Sequence, residues 1–137
     1  MYVDSNVFIY PVIYDEKSVK KAAAAKRVLV KIAEGTIDAS TASLTWDELV
    51  WVARKILGKE IAEAEGKKFL EFPNLKILNV DERTIKEAQD IMEKYALKPR
   101  DSIHLGCAIR NRLRDIISDD PHLDAVDEAK RIRLEEV

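Results

Sequence analysis

A parallel α/β sheet flanked by helices on both faces is the fold class this sequence predicts. Short β-forming runs alternate with helical stretches of ten or more residues, the rhythm of βαβ units. The helical stretches repeat apolar residues every three to four positions and carry charge elsewhere, so each offers one face for burial. One of them, Ile103-His104-Leu105-Gly106-Cys107-Ala108-Ile109, is apolar nearly all round and belongs at the centre. No internal repeat, low-complexity tract or linker divides the 137 residues, so a single domain over 1–137 is expected.

The first strand is Tyr2-Val3, β-formers that stop at Asp4 before Val7, Phe8 and Ile9 resume the apolar run. Ligands of open parallel sheets bind beyond the carboxyl ends of the strands, so an acid where a central first strand stops points into that crevice. Taken alone, Asp4 reads more readily as the N-cap of the helix that follows. That helix, residues 7–13, is expected to stop or kink at Pro11. Residues 18–34 form a longer helix with Ala22, Ala25, Val28, Leu29 and Ile32 on one face and Gly35 as its C-cap.

Residues 36–40 fit a short strand. The next helix runs to Leu57 and is closed by Gly58; Ser43 or Thr45 can cap it, with Glu48 three residues beyond Thr45 in capping-box spacing. Residues 60–72 are helical until Pro73-Asn74, and residues 75–80 alternate with the period of a strand. Asp81 caps a helix that lasts to Leu97, and Pro99 starts the central one. Gly106 costs that helix about 1 kcal/mol relative to Ala, which is acceptable where another backbone packs closely. Residues 115–118 read as a strand ending in Asp119-Asp120, and residues 131–134 as a last strand.

Composition excludes several classes. A net charge of -2 and a pI near 5.8 lack the basic footprint of a bulk nucleic-acid binder. The single cysteine, Cys107, cannot form an internal bridge, and no Cys/His cluster has zinc-ligand spacing. No signal peptide opens the chain and no apolar run approaches the roughly 20 residues of a membrane span, so a cytoplasmic protein with no membrane partner is expected.

Asp4 and Asp120 lie at strand ends, and Glu48 and Asp101 in first turns of helices. Strand carboxyl ends and helix N-termini share one edge of such a sheet, so these four acids are placed to converge. Gathering ionised carboxylates costs several kcal/mol unless cations neutralise them, and hard divalent ions with oxygen ligands do this best. Mg²⁺ or Mn²⁺ is the expected cofactor, and such a site suits phosphodiester cleavage.

Four segments, Val3-Asp4-Ser5-Asn6, Thr41 with Glu48 seven residues on, Pro99-Arg100-Asp101-Ser102-Ile103-His104-Leu105 and Ile116-Ile117-Ser118-Asp119-Asp120, resemble in order the motifs of PIN-domain ribonucleases, most of all VapC-type toxins. The resemblance spans essentially the whole chain. It implies a PIN-like three-layer sandwich around a five-stranded parallel sheet, metal-dependent endonucleolytic cleavage of RNA, a homodimer, and neutralisation by a small antitoxin. By this resemblance Asp4, Glu48, Asp101 and Asp120 are the catalytic and metal-binding acids, with Asn6, Ser118 and Thr41 in support. Ala42 stands where family members often have a second hydroxyl, and Pro121, His122 and Leu123 where they often have a base and an aromatic.

The remaining candidates read differently. His104 lies three residues after Asp101, yet a histidine in an apolar helix is usually a satisfied core residue. Asp119 is the alternative to Asp120; because successive strand residues face opposite ways, it is expected to stay solvated or to cap the turn at Pro121. Trp46 and Trp51 fit the core or a dimer interface better than a base-stacking platform. Lys17, Lys20, Lys21, Arg110, Arg112 and Arg114 can reach phosphates but read as solvated faces. Two other functions compete: a catalytically weak PIN-like binding or scaffolding module, and a phosphoacceptor receiver domain. The second would need adjacent acids where the first strand ends, where this chain has Asp4 alone, and a lysine directly after a late strand, where residues 115–118 are followed by Asp119-Asp120.

Overall fold

A computed structural model describes residues 1–137, and it is built outward from a very short strand. Strand β1 (Tyr2–Val3) has both residues fully buried. After it come α1 (Ser5–Ile13), α2 (Lys20–Ala33), β2 (Ala39–Ala42), α3 (Leu44–Leu57), α4 (Lys59–Leu70) and β3 (Leu75–Leu78). Helices α5 (Glu82–Tyr95) and α6 (Pro99–Arg110) precede β4 (Asp115–Ile117) and β5 (Lys130–Ile132), with short 3-10 turns at Pro121–Ala125 and Leu134–Glu136.

The five strands pair in the order β3-β2-β1-β4-β5, every pair parallel, as the family resemblance implied. The chain lays β2 and β3 on one side of β1, then crosses over to lay β4 and β5 on the other. The order therefore reverses beside β1, and the crevice beyond the carboxyl ends of β1 and β4 is the place where such sheets bind ligands.

Alternation along β1 divides the core. Val3 packs with Val7, Phe8, Ala25, Val28, Leu49 and Phe69 from α1–α4. Tyr2 packs with Leu105, Cys107 and Ala108 of α6, Ile91 of α5 and Leu123 beyond β4. Each fully buried Leu, Ile or Val contributes about 1.5–3 kcal/mol. The layers are thus helix, sheet, helix. Gly106 shows how tightly the second face closes, because a Cβ there would stand 3.0 Å from Thr84 O and 3.1 Å from Ala88 N on α5. This is the close backbone that a glycine in α6 required.

Some local expectations fail. Helix α1 continues through Pro11 to Ile13; the amide that proline lacks is one near the helix end, where few bonds remain to be lost. Strand β2 spans Ala39–Ala42 rather than 36–40, because only the later residues reach β3 and β1 in register. Neither Ser43 nor Thr45 caps α3 through its side chain, and no capping box forms with Glu48. Thr45 is instead buried inside α3, its Oγ1 2.7 Å from Thr41 Oγ1. No helix is long and apolar enough to cross a membrane.

Candidate active site

Asp4 follows β1 directly. Its amide donates to Ile117 O at 3.0 Å, extending the β1–β4 ladder by one bond, and its side chain caps α1 by accepting from Ser5 N at 2.7 Å. Its second oxygen accepts from Ser118 Oγ at 2.5 Å and Asn6 Nδ2 at 2.8 Å. One carboxylate therefore both caps α1 and lines the crevice. Ser118, fully buried after β4, also accepts from Asn6 Nδ2 (3.1 Å) and from the Asp120 amide (3.0 Å).

Asp4, Asn6, Asp101, Asp119, Asp120 and Lys21 line one cleft of about 370 Å³. Asp101 projects from the first turn of α6, and no protein group donates a hydrogen bond to it. Burial, with the Asp120 and Asp4 carboxylates nearby, raises its pKa above the ordinary aspartate value. Asp120 caps the turn at Pro121–Ala125, accepting from His122 N at 2.9 Å, with His122 Nδ1 2.8 Å from the same oxygen.

Glu48 stands beside this cleft rather than lining it. Ser5 Oγ is 3.4 Å from Glu48 Oε2 and equally 3.4 Å from Asp4 Oδ1, so one hydroxyl sits between the two acids. The other Glu48 oxygen pairs with His104 Nε2. Burial opposes protonation of His104, but the Glu48 carboxylate, with Asp4 and Asp101 behind it, holds its pKa above the ordinary histidine value. Thr41 does not reach the cleft: its hydroxyl donates to Val3 O at 2.7 Å and ties β2 to β1 beneath it.

All four acids named from the sequence thus lie on one edge of the sheet, three of them in one cleft. Asp119 departs from expectation. It is neither solvated nor the cap of the following turn, a role that Asp120 takes. Its Oδ2 accepts from Tyr10 Oη at 2.9 Å and from Lys21 Nζ at 2.7 Å. Trp46 and Trp51 are 42% and 52% exposed, so neither is a core residue. Sequence reasoning gave no role to Tyr2, Ser5 or Tyr10. Only Ser5, inside the first motif, carried a signal that could have found it.

The cleft can be tested for its fit to a divalent cation. As they stand, no three His, Cys, Asp or Glu side chains are drawn together tightly enough to ligate one ion. The donor chemistry nevertheless suits Mg²⁺ or Mn²⁺: all-oxygen ligands on separate elements, an unpartnered Asp101, and a single lining lysine already paired with Asp119. Like charges hold such carboxylates apart, and a cation between them removes that repulsion.

The sequence model of the PIN domain family matches residues 1–129. No curated protein matches the chain. Among solved structures, a chain of a toxin-antitoxin complex from Klebsiella pneumoniae aligns with TM-score 0.67 at 20% identity, covering 99% of this chain and 98% of that one. A chain of VapBC2 from Rickettsia felis, crystallised bound to a DNA fragment from their promoter, aligns with TM-score 0.69 at 15% identity over 96% of each chain. Mycobacterium tuberculosis VapC20, a sarcin-ricin loop cleaving toxin, gives TM-score 0.72 at 12% identity over 90% of this chain and 92% of its own. Identities this low carry the fold alone. The family match spans nearly the whole chain and agrees with the sheet order and the four-motif pattern, and by it this protein belongs to the PIN domain family.

Proposed function

We propose that this protein is a divalent-metal-dependent endoribonuclease, the VapC-type toxin of a toxin-antitoxin pair. The observation that carries the reading is the cleft at the switch point of the sheet, which Asp4, Asp101 and Asp120 line from three elements while its one lining lysine is already paired with Asp119. Those three aspartates would hold Mg²⁺ or Mn²⁺, with Glu48 at the flank. Bound there, such an ion would supply Lewis acidity to a phosphodiester oxygen and would make water a better nucleophile.

The protein's own groups do the rest. Ser118 and Asn6 fix one oxygen of Asp4, so this acid needs little reorganisation when it acts. Asp101 has no hydrogen-bond donor and keeps both oxygens available. Lys21, held over the cleft by Asp119, is the lining group suited to an RNA phosphate. Partners follow from the same reading: RNA as substrate, a small antitoxin, and a second copy of the chain. An apolar groove of about 480 Å³ lined by Phe8, Pro11, Leu57, Ile61 and Phe72 suits an apolar segment of the antitoxin. Exposed Trp46 and Trp51 of α3 suit a homodimer, which light scattering at micromolar concentration tests.

The competing reading is a PIN-like binding module without turnover. It is favoured by Glu48 being tied to His104 and by the acids not being drawn together. One experiment decides: the purified protein is incubated with RNA in EDTA, Mg²⁺ or Mn²⁺. Cleavage only with metal supports the nuclease, and RNA binding without cleavage in any condition supports the module.

A further inference from the structure

His104 is buried in α6 with both ring nitrogens engaged. Nδ1 lies 2.6 Å from Tyr2 Oη, and Nε2 bonds Glu48 Oε1. The Tyr2 hydroxyl is itself fully buried and accepts the Ala42 amide proton at 3.2 Å. With that amide pointing at its oxygen, the hydroxyl must send its own proton elsewhere, and His104 Nδ1 is the acceptor beside it. A neutral His104 therefore keeps its proton on Nε2 and donates it to Glu48. A charged His104 carries a proton on Nε2 as well, so the bond to Glu48 has the same direction in either state.

We propose that His104, oriented by Tyr2, is the positioning residue for Glu48, fixing Oε1 so that Oε2 turns toward Ser5 and Asp4. The inference rests on the metal-dependent reading of the site. A glutamate has three side-chain torsions, and holding it still costs rotamer entropy that a fixed partner must offset. Here the restraint runs through a line of hydrogen bonds from the backbone of β2, through β1 and α6, to α3. Any buried imidazole needs partners for both nitrogens; here one of them is an acid at the edge of the cleft, so the bond that satisfies His104 also fixes Glu48. Outer partners of metal-binding groups act in this way, and their loss commonly weakens metal binding tenfold or more.

The test compares His104→Gln, which keeps a donor at the Nε2 position, with His104→Leu, which does not, and with Tyr2→Phe. Mn²⁺ affinity is read by calorimetry, folding by melting in EDTA, and the wild-type His104 tautomer by ¹⁵N NMR. The proposal expects His104→Leu to bind Mn²⁺ at least tenfold more weakly, His104→Gln to stay within about threefold of wild type, and Tyr2→Phe to fall between. It also expects the ¹⁵N signature of a protonated Nε2. Folded His104→Leu with wild-type affinity overturns it, as does a His104→Gln loss equal to that of His104→Leu. Should His104→Leu fail to fold, an unprotonated Nε2 or an unaltered Tyr2→Phe affinity overturns it independently. Wild-type protein that binds no Mn²⁺ removes the metal reading itself, an outcome separate from the ranking of the variants.

Discussion

Acidic residues play opposite parts in two regions of this molecule. Away from the cleft, Asp81 caps α5 through Thr84 N at 2.9 Å, Asp124 takes a two-pronged Arg131 bond at 2.7 Å, and Glu128 pairs with Lys94 at 2.8 Å and with Tyr95. Backbone and side-chain donors hold these carboxyls below their ordinary pKa values. In the cleft, Asp101 has no donor and its pKa is raised by burial and by neighbouring acids. Acids of the first kind stabilise the fold that contains them. Asp101 is of the second kind, a half-buried acid left without a donor among other carboxylates, and perturbed groups of this sort cluster at functional sites.

The largest effect that sharpens this contrast is on activity. Asp4→Asn, Asp101→Asn and Asp120→Asn are each expected to lower metal-dependent RNA cleavage at least roughly tenfold, while Asp119→Asn changes it much less. Rates at matched Mn²⁺ concentration check the ranking. A larger loss for Asp119→Asn would transfer the third carboxylate of the cleft to that neighbour.

Stability supplies the next test, because a ligand that binds only the folded state stabilises it. If the cleft binds Mn²⁺, a concentration a hundred times its Kd would contribute about 2.7 kcal/mol, equivalent to roughly 10 °C in Tm for a domain of this size. Asp4→Asn is expected to lose that response. Without metal, Asp101→Asn is expected to melt above wild type, since it removes an unpartnered charge. Asp4→Asn gains less, because it weakens charge-assisted bonds from Ser5 N and Ser118 Oγ. Equal metal responses in wild type and Asp4→Asn, seen by calorimetric scanning, would erase the distinction between the two kinds of acid.

A smaller effect belongs to Lys21, which bridges the two kinds by pairing with an acid inside the cleft. Lys21→Ala, made in an Asp120→Asn background to block turnover, is expected to reduce the salt slope of RNA binding by about one. An unchanged slope from anisotropy titrations would return Lys21 to the ordinary surface pairs.

Much of this was legible in the sequence because it is encoded locally. The Asp81 cap, the start of α6 at Pro99 and the need for a close backbone at Gly106 each depend on a few neighbouring residues and on patterns that repeat with helical period. The edge on which the acids lie followed from strand and helix ends in a parallel sheet. What the sequence could not display were bonds across the fold: Tyr2 with His104, 102 residues apart, and Tyr10 with Asp119, 109 apart. Thr45 misled for the same reason. Its spacing to Glu48 fits a capping box, but its hydroxyl found Thr41 on β2, a partner no local pattern reveals.

The smallest expected effect separates the two kinds of acid by their response to pH. Lys94 and Tyr95 hold the Glu128 carboxyl down to about 2, below its reference value of 4.5. A folded-state pKa below the unfolded one means stabilisation that is present above pH 4.5 and lost as pH falls toward 2. For Asp101 the sign reverses. Its raised pKa makes the folded state the better proton acceptor, so its contribution is most favourable at low pH and is lost as pH rises through that value. Acidifying the metal-free protein should thus relieve the cleft before it breaks the surface pair. Glu128→Gln is expected to flatten the fall of Tm below pH 4.5 by no more than about 2 °C, because the pair is solvent-exposed and screened. Melting curves at pH 7, 4.5 and 3 on wild type, Glu128→Gln and Asp101→Asn provide the check. If both variants shift the acid limb in the same direction, the two kinds of acid do not differ in the way their surroundings imply.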